Sequence, residues 1–188
     1  MPVLQTGLAK SAAEDYTIDQ SLRFNRGDSA YLSRTPTSAG NQKTFTISFW
    51  LKFGNIPDDS GNVMYTGLGI DLVGSADYGF CFQADGTLDC FIYYSGSAWE
   101  GRLVTTQLWR DPSAWYHIVL AVDTTQVTNT DRAKLYVNGE QITDFATSSY
   151  PDQNQDTYWN STTQQFVGRG SGSSVYFDGY LAEQYLID

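Results

Sequence analysis

The residues that most often carry out hydrolysis are scarce in this sequence. It contains four glutamates, Glu14, Glu100, Glu140 and Glu183. None belongs to a Glu-x-Asp-x-x-Glu or similar arrangement, which would set two carboxyl groups on one strand as glycoside hydrolysis requires. His117 is the only histidine, so a hydrolytic triad or a multi-histidine metal site is hard to build. The sequence therefore predicts a protein that is not an enzyme, with His117 as a packed or hydrogen-bonded side chain.

Aromatic residues, in contrast, are frequent in the predicted loops. Sugar binding uses aromatic faces against the apolar patches of pyranose rings, beside amides and carboxylates that bond hydroxyl groups. We predict a glycan-binding site formed by Trp99, Tyr150, Tyr158, Trp159 and Asn160, most of which lie in a long polar loop over residues 146–164. The alternative is that these side chains pack onto their own loops or form a protein contact, and the sequence alone does not separate the two.

Aspartates in the predicted loops could bind a metal ion. Calcium takes carboxylate and carbonyl oxygens from loops. Six aspartates lie in or beside predicted loops, but their spacing matches no recognised calcium loop: Asp58, Asp59, Asp123, Asp131, Asp152 and Asp156. We therefore predict no cofactor, assign no metal ligands, and keep a calcium-dependent adhesion domain as an alternative.

The charge of the chain limits its partners. The formal net charge is -10, and such a field repels phosphate backbones and anionic lipid surfaces. No apolar run approaches the roughly 20 residues that cross a bilayer, and the first residues lack the pattern of a signal peptide. We expect no nucleic acid partner, no membrane insertion and no secretion through a signal peptide.

Two cysteines are too few for a disulfide framework or a tetrahedral metal site. Asp85-Gly86 is a two-residue hairpin signal, and pairing outward from it sets Cys81 directly opposite Cys90. Because cross-strand disulfides are strained, we predict two reduced, half-buried thiols.

The central segment of the chain, residues 115–142, predicts three strands. Its first strand is apolar on both faces and should be central in a sheet, and Asn138-Gly139 supplies the two positive φ angles of a type I′ hairpin. Residues 44–53 alternate strictly, which places five large apolar side chains on one face: Phe45, Ile47, Phe49, Leu51 and Phe53. The last strand, within residues 175–187, does not alternate cleanly, so we expect a bulge or a covered outer face there.

The domain organisation follows from these patterns. Residues 1–19 show no regular period, and we interpret them as an arm whose apolar Val3, Leu4 and Leu8 could dock onto another protein. Residues 20–188 contain about a dozen short strands with tight turns and no helical period. They predict one all-β domain, a jelly-roll sandwich of two antiparallel sheets.

Several segments resemble a known family. They are LRFNRGDSAYLSRT, KTFTISFWLKF, WYHIVLAVD followed by KLYVNGEQI, and the closing FDGYLAEQYLID. In this order they resemble the laminin G-like branch of the concanavalin A-like lectin and glucanase superfamily. Together with the MPVLQTGLAKS arm, they are similar to virion proteins of tailed phages, particularly marine phages.

This resemblance implies a structural role in a virus particle. It implies a tail fibre or head decoration module that the arm attaches to other virion proteins, assembled in the host cytoplasm. We further expect a homo-oligomer, and a carbohydrate-binding module for host-surface glycans is the main alternative. The natural chain could continue past Asp188, as related phage proteins commonly do.

Overall fold

The computed structural model describes residues 17–56, 64–72, 76–170 and 175–188. They form two antiparallel β-sheets, as the sequence predicted, with two short 3₁₀ turns at Arg26–Asp28 and Asn129–Asp131. Within these residues we find no helix with the length and apolar character needed to cross a membrane. The arm residues Val3, Leu4 and Leu8 and the aspartates Asp58 and Asp59 lie outside the described residues.

The first sheet has six strands in the order β1-β13-β3-β8-β9-β10. The strict alternation of β3 and the double-faced apolar pattern of β8 place these two strands in its middle, where both sides of each are paired. Asn138 and Gly139, with φ angles of 53° and 82°, form the predicted turn between β9 and β10. The strands are β1 (Leu22–Phe24), β3 (Thr44–Phe53), β8 (Tyr116–Asp123), β9 (Ala133–Val137), β10 (Glu140–Ile142) and β13 (Gly179–Ile187).

The second sheet has seven strands in the order β11-β7-β6-β5-β4-β12-β2. The sequence did not predict one strand of this sheet, β11 (Phe145–Ser149), because it occupies the start of the predicted long loop. β11 carries three Ser and Thr residues in five, and its pairing with β7 compensates for its weak apolar pattern. The strands are β2 (Leu32–Arg34), β4 (Met64–Leu72), β5 (Ala76–Phe82), β6 (Thr87–Tyr94), β7 (Trp99–Leu108), β11 (Phe145–Ser149) and β12 (Gln165–Val167).

The core lies between the two sheets. All five apolar residues of the β3 stripe are buried, which confirms the main wall predicted from the alternation. They meet side chains of the second sheet edge to face: Phe49 packs on Phe80 at 4.9 Å between ring centroids, and Phe53 packs on Phe82 at 4.8 Å. Each fully buried side chain of this size contributes about 1.5–3 kcal/mol.

The hairpin between β5 and β6 differs from the prediction by one residue. Gln83 pairs with Thr87 around a three-residue loop that ends at Gly86, whose φ is 87°. Cys81 therefore lies opposite Asp89, and Cys90 lies opposite Phe80. Because side chains alternate along a strand, the one-residue shift puts the two thiols on opposite faces of the sheet. The two cysteines form no disulfide with each other, and both are fully buried rather than half-buried.

The bulge predicted in the last strand is confirmed. The register of β13 on β3 shifts between Ala182 and Tyr185, and Glu183 has a positive φ of 49°. Ala182 and Tyr185 lie opposite Trp50 and Ser48, so two residues, Glu183 and Gln184, stand opposite Phe49.

Candidate functional site

A cluster of aromatic side chains lies where β6 ends and β7 begins. The two strands are joined by a tight turn in which Ser95 N donates to Ala98 O at 3.0 Å. Trp99 packs on Phe91 and on Tyr94, with ring centroids 4.6 Å and 5.0 Å apart. We call this cluster the aromatic patch: Phe91, Tyr93, Tyr94, Trp99 and Tyr158.

The long loop reaches the patch because a glycine lets it approach. Tyr93 pairs with Gly101 on β7, and a Cβ at Gly101 would lie 3.1 Å from Cγ of Pro151. The missing side chain thus makes room for the start of the loop. Further along the loop, Tyr158 stacks on Tyr93, with centroids 5.7 Å apart and ring planes 14° from parallel.

An ion pair lies beneath one side of the patch. Arg102 Nε and Nη2 donate to the two carboxylate oxygens of Asp89 at 3.0 Å and 2.6 Å. Gln83 Nε2 adds a third hydrogen bond at 3.1 Å. The Asp89 residue is 0% exposed. Its burial raises the pKa of the carboxyl, while Arg102 and Gln83 act in the opposite direction.

This pair fixes the position of Arg102. The two-pronged geometry holds the planar guanidinium group in one orientation. The central carbon of the guanidinium group, Cζ, lies 5.1 Å from the centroid of the Phe91 ring, so the cation packs against the face of that ring. About a third of the Arg102 side chain is still exposed, which leaves part of a fixed cation accessible beside the aromatic rings.

Carboxylates lie near the other side of the patch. Burial raises the pKa of Tyr93, and the neighbouring Tyr158, Glu100 and Asp152 raise it further. The Tyr93 hydroxyl therefore stays protonated at neutral pH and can both donate and accept a hydrogen bond. Aromatic faces, a hydroxyl, two carboxylates and an arginine together provide the groups with which proteins bind sugars.

Two of the predicted glycan-binding residues lie in this patch. Trp99, Tyr158 and Tyr150 are all half-buried and pack against the core, but only Trp99 and Tyr158 take part in the ring contacts of the patch. Sequence reasoning missed Phe91, Tyr93 and Tyr94. The signal was present as three aromatic residues within four positions, just before a Gly- and Ser-rich turn.

Trp159 was assigned wrongly to the glycan-binding surface. It is 0% exposed, and its ring packs between the sheets near Phe45 and Phe80, with centroids 6.4 Å and 6.2 Å away. Tyr158 and Trp159 lie in a bend and the turn that follows it, where Tyr158 is half-buried and Trp159 enters the core.

Asn160 lies apart from the patch and holds the loop to the end of the chain. Its backbone has a positive φ of 59°. Its Nδ2 donates to Asn41 O at 3.2 Å and to Asp188 Oδ2 at 2.8 Å. These bonds give Asn160 a structural role at a different edge of the sandwich.

The candidate calcium ligands are dispersed. Within the described ranges, no three acidic, histidine or cysteine residues come together as a metal site would require. Asp123 accepts hydrogen bonds from Thr125 and Gln126, both at 2.6 Å, which lower the pKa of its carboxyl. Asp131 pairs with Lys134 at 2.9 Å.

His117 is a packed side chain, as predicted. Its ring stacks on Trp50 with centroids 4.7 Å apart, and its Nε2 lies 2.9 Å from Ser48 Oγ. Burial lowers the pKa of the imidazole, although the nearby Glu183 acts in the opposite direction. This cluster lies on the outer face of the six-stranded sheet, which is the sheet without the aromatic patch.

The fold and the patch define a lectin-like β-sandwich, and the comparison with known families agrees. Residues 25–188 match the sequence profile of the concanavalin A-like lectin/glucanases superfamily. The chain therefore belongs to this superfamily. No curated protein matches it.

Solved structures with low sequence identity share the fold. A heptameric SAP-like pentraxin from Limulus polyphemus is 13% identical with a TM-score of 0.56, over 83% of this chain and 68% of the pentraxin. The binding domain of Paraclostridial Mosquitocidal Protein 1 is 16% identical with a TM-score of 0.56, over 89% of this chain and 39% of that one.

A Trypanosoma rangeli sialidase in complex with a difluoro-KDN ligand is 17% identical with a TM-score of 0.50. The match covers 78% of this chain but 20% of the sialidase, so the chain spans about a fifth of that enzyme's length.

Proposed function

We propose that this chain is a non-enzymatic carbohydrate-binding module and that its aromatic patch holds the glycan. The observation that carries the proposal is the combination of partly exposed rings with fixed polar groups at one place on the surface. Trp99 and Tyr158 offer aromatic faces, and Arg102 is held beside them by Asp89. The low-identity neighbours share only the fold, so the patch itself supports the function.

Each part of the patch has a role in this proposal. The rings of Trp99 and Tyr158 stack on the apolar faces of sugar rings. Glu100 and Asp152 accept hydrogen bonds from sugar hydroxyls, and the Arg102 guanidinium donates to sugar oxygens. The buried Asp89 does not touch the ligand but keeps Arg102 in position, which reduces the entropy lost on binding.

Glu100 and Asp152 lie close enough to Tyr93 to raise the pKa of its hydroxyl, and we assign these two carboxylates to ligand hydrogen bonds.

The location we propose is a virus particle. The support is the sequence resemblance to virion proteins of tailed phages, in which such domains form tail fibres or decorate heads. In this proposal residues 1–19 attach the module to other virion proteins, and the sandwich presents its patch to host-surface glycans. A homo-oligomer would multiply weak single-site affinities, and the Limulus pentraxin of the same fold is heptameric. Mass spectrometry of purified particles tests this placement.

A glycan array tests the binding role. We expect selective binding by the intact chain and a loss of at least tenfold in affinity for Trp99→Ala and for Tyr158→Ala, because stacking on each ring contributes strongly. Tyr185→Ala is the matched control, since Tyr185 is 52% exposed on the other sheet. Melting curves verify that each variant is folded. If the intact chain bound no glycan on the array, or if the control lost as much affinity as the patch variants, the proposal would be overturned.

A further inference from the structure

A groove opens between the two sheets at the side of the sandwich opposite to the aromatic patch. β1 is the last strand of the six-stranded sheet, and β2 is the last strand of the seven-stranded sheet. The groove has a volume of about 940 Å³, and residues of β1, β2, β12 and β13 line it. No residue of the aromatic patch contributes to its walls.

Exposed leucines stand on the rim of this groove, whose lining also includes polar residues such as Ser33 and Arg34. Leu22 on β1 is 55% exposed and Leu32 on β2 is 50% exposed. Leu181 and Leu186 on β13 continue the apolar surface inward. Within the described residues, β1 pairs only with β13 and β2 only with β12. Edge strands with exposed leucines are sites at which another strand can add.

The buried side-chain amide of Gln184, in the groove, has no hydrogen-bond partner among the described residues. The bulge of β13 places Gln184 opposite Phe49, and Gln184 lines the groove. Both its Nε2 and its Oε1 are buried and make no hydrogen bond with any described residue. Buried polar groups are normally paired. One donor beside one acceptor is complementary to the C=O and N–H of a peptide backbone.

We propose that the groove binds the N-terminal segment, residues 1–16, of a second copy of this chain. Val3, Leu4 and Leu8 of that segment would meet the leucines of the groove, and its backbone would bond the Gln184 amide. Lys10 is the only charged side chain before Glu14. Residues 1–16 carry Lys10 against Glu14 and Asp15, a net charge of -1, and Lys10 would pair with Glu183 or Asp188, which line the groove together with Arg34.

The path of the chain favours a second copy over the same copy. Gln20 and Ser21 line the groove, so the described part of the chain begins beside it. Residues 17–21 contain no turn or bend that would return the chain alongside β1. Sixteen residues span roughly 50 Å when extended, which is enough to reach the groove of a neighbouring molecule. In this proposal a second copy of the chain is the virion protein to which the segment attaches, and the exchange of segments would join copies into a homo-oligomer.

Light scattering after size exclusion, over a range of protein concentrations, tests this proposal. We expect the intact chain to exceed the monomer mass, and both the variant lacking residues 1–16 and full-length Leu32→Asp to be monomeric with unchanged melting. Val127→Asp is the control because Val127 is highly exposed and lies outside the groove. An intact chain that is monomeric throughout, or an oligomer that survives the deletion, would overturn the proposal.

A labelled peptide of residues 1–16 supplies the second measurement. We expect it to bind the truncated domain, with a loss of at least tenfold in affinity for Leu32→Asp and a smaller loss for Gln184→Leu. Absence of binding, or equal binding to Leu32→Asp, contradicts the proposal. Glycan binding by Leu32→Asp should remain normal, so this proposal and the carbohydrate-binding role can fail separately.

Discussion

The outer faces of the two sheets are stabilised in different ways. On the seven-stranded sheet, the fully buried Asp89 is neutralised by Arg102, whose guanidinium lies on Phe91. On the six-stranded sheet, neutral His117 stacks on Trp50 and hydrogen-bonds Ser48. A buried charge requires a partner with a fixed position, whereas a neutral stack does not. The first face therefore holds a partly exposed cation in a fixed position, whereas the second is a neutral packed layer.

The largest expected effect is that of Arg102→Ala. This change leaves the Asp89 carboxylate buried without its cation, and we expect a loss of about 3 kcal/mol in the free energy of unfolding at pH 7. Urea denaturation measures it. The loss in the free energy of unfolding should become smaller at lower pH, once Asp89 in the folded variant is protonated.

Lys43→Ala is the matched control for that experiment. Lys43 and Asp156 are 3.8 Å apart and both are exposed, so their pair contributes less than about 1 kcal/mol. If Arg102→Ala were no more costly than Lys43→Ala, the contrast between the two sheet faces would be wrong.

A smaller effect is expected on the six-stranded sheet. Trp50→Ala removes the stack on a half-buried histidine, and we expect a loss of about 2 kcal/mol from lost burial and ring contact. Chemical denaturation measures this loss, and Tyr185→Ala on the same sheet is the control. The free energy of unfolding of the control should lie within about 0.5 kcal/mol of that of the unaltered chain. Equal values for the two variants would show that the stack contributes nothing.

The smallest effect concerns the pH dependence of His117. Burial holds its pKa below 6.5 in the folded protein, so the unfolded chain takes up the proton at a higher pH. Stability should therefore fall as pH decreases through 6.5 toward the folded pKa, and the melting temperature should drop by at most about 2 °C. Differential scanning calorimetry should show that His117→Phe, which keeps an aromatic ring on Trp50, removes this component. A stability that rises over the same interval would contradict it.

Much of the fold could be predicted because alternation along a strand is local. The β3 stripe, the central β8 and the Asn138-Gly139 turn all follow from neighbouring residues, and the structure confirms them. The β5–β6 hairpin shows the limit of such reasoning. Asp85-Gly86 marked the turn correctly, but a third loop residue shifted the register and separated the cysteines onto opposite faces.

The candidate site was predicted only in part. Trp99 and Tyr158 were identified from residue type, whereas the pairing of β6 with β7 brought Phe91, Tyr93 and Tyr94 to them. Trp159 and Tyr158 are neighbours of similar type, and nothing local indicates which one enters the core. The direction of each ring depends on where the long loop lies across the sheets.

The sequence by itself determined the class of this protein, because period-two patterns, tight turns and family segments are properties of short stretches. Only the tertiary structure decided which aromatic residues share a surface, which acid is neutralised by Arg102, and where the groove between β1 and β2 opens. Those features depend on strands far apart in the chain, whose register and sheet assignment follow from packing of the whole core.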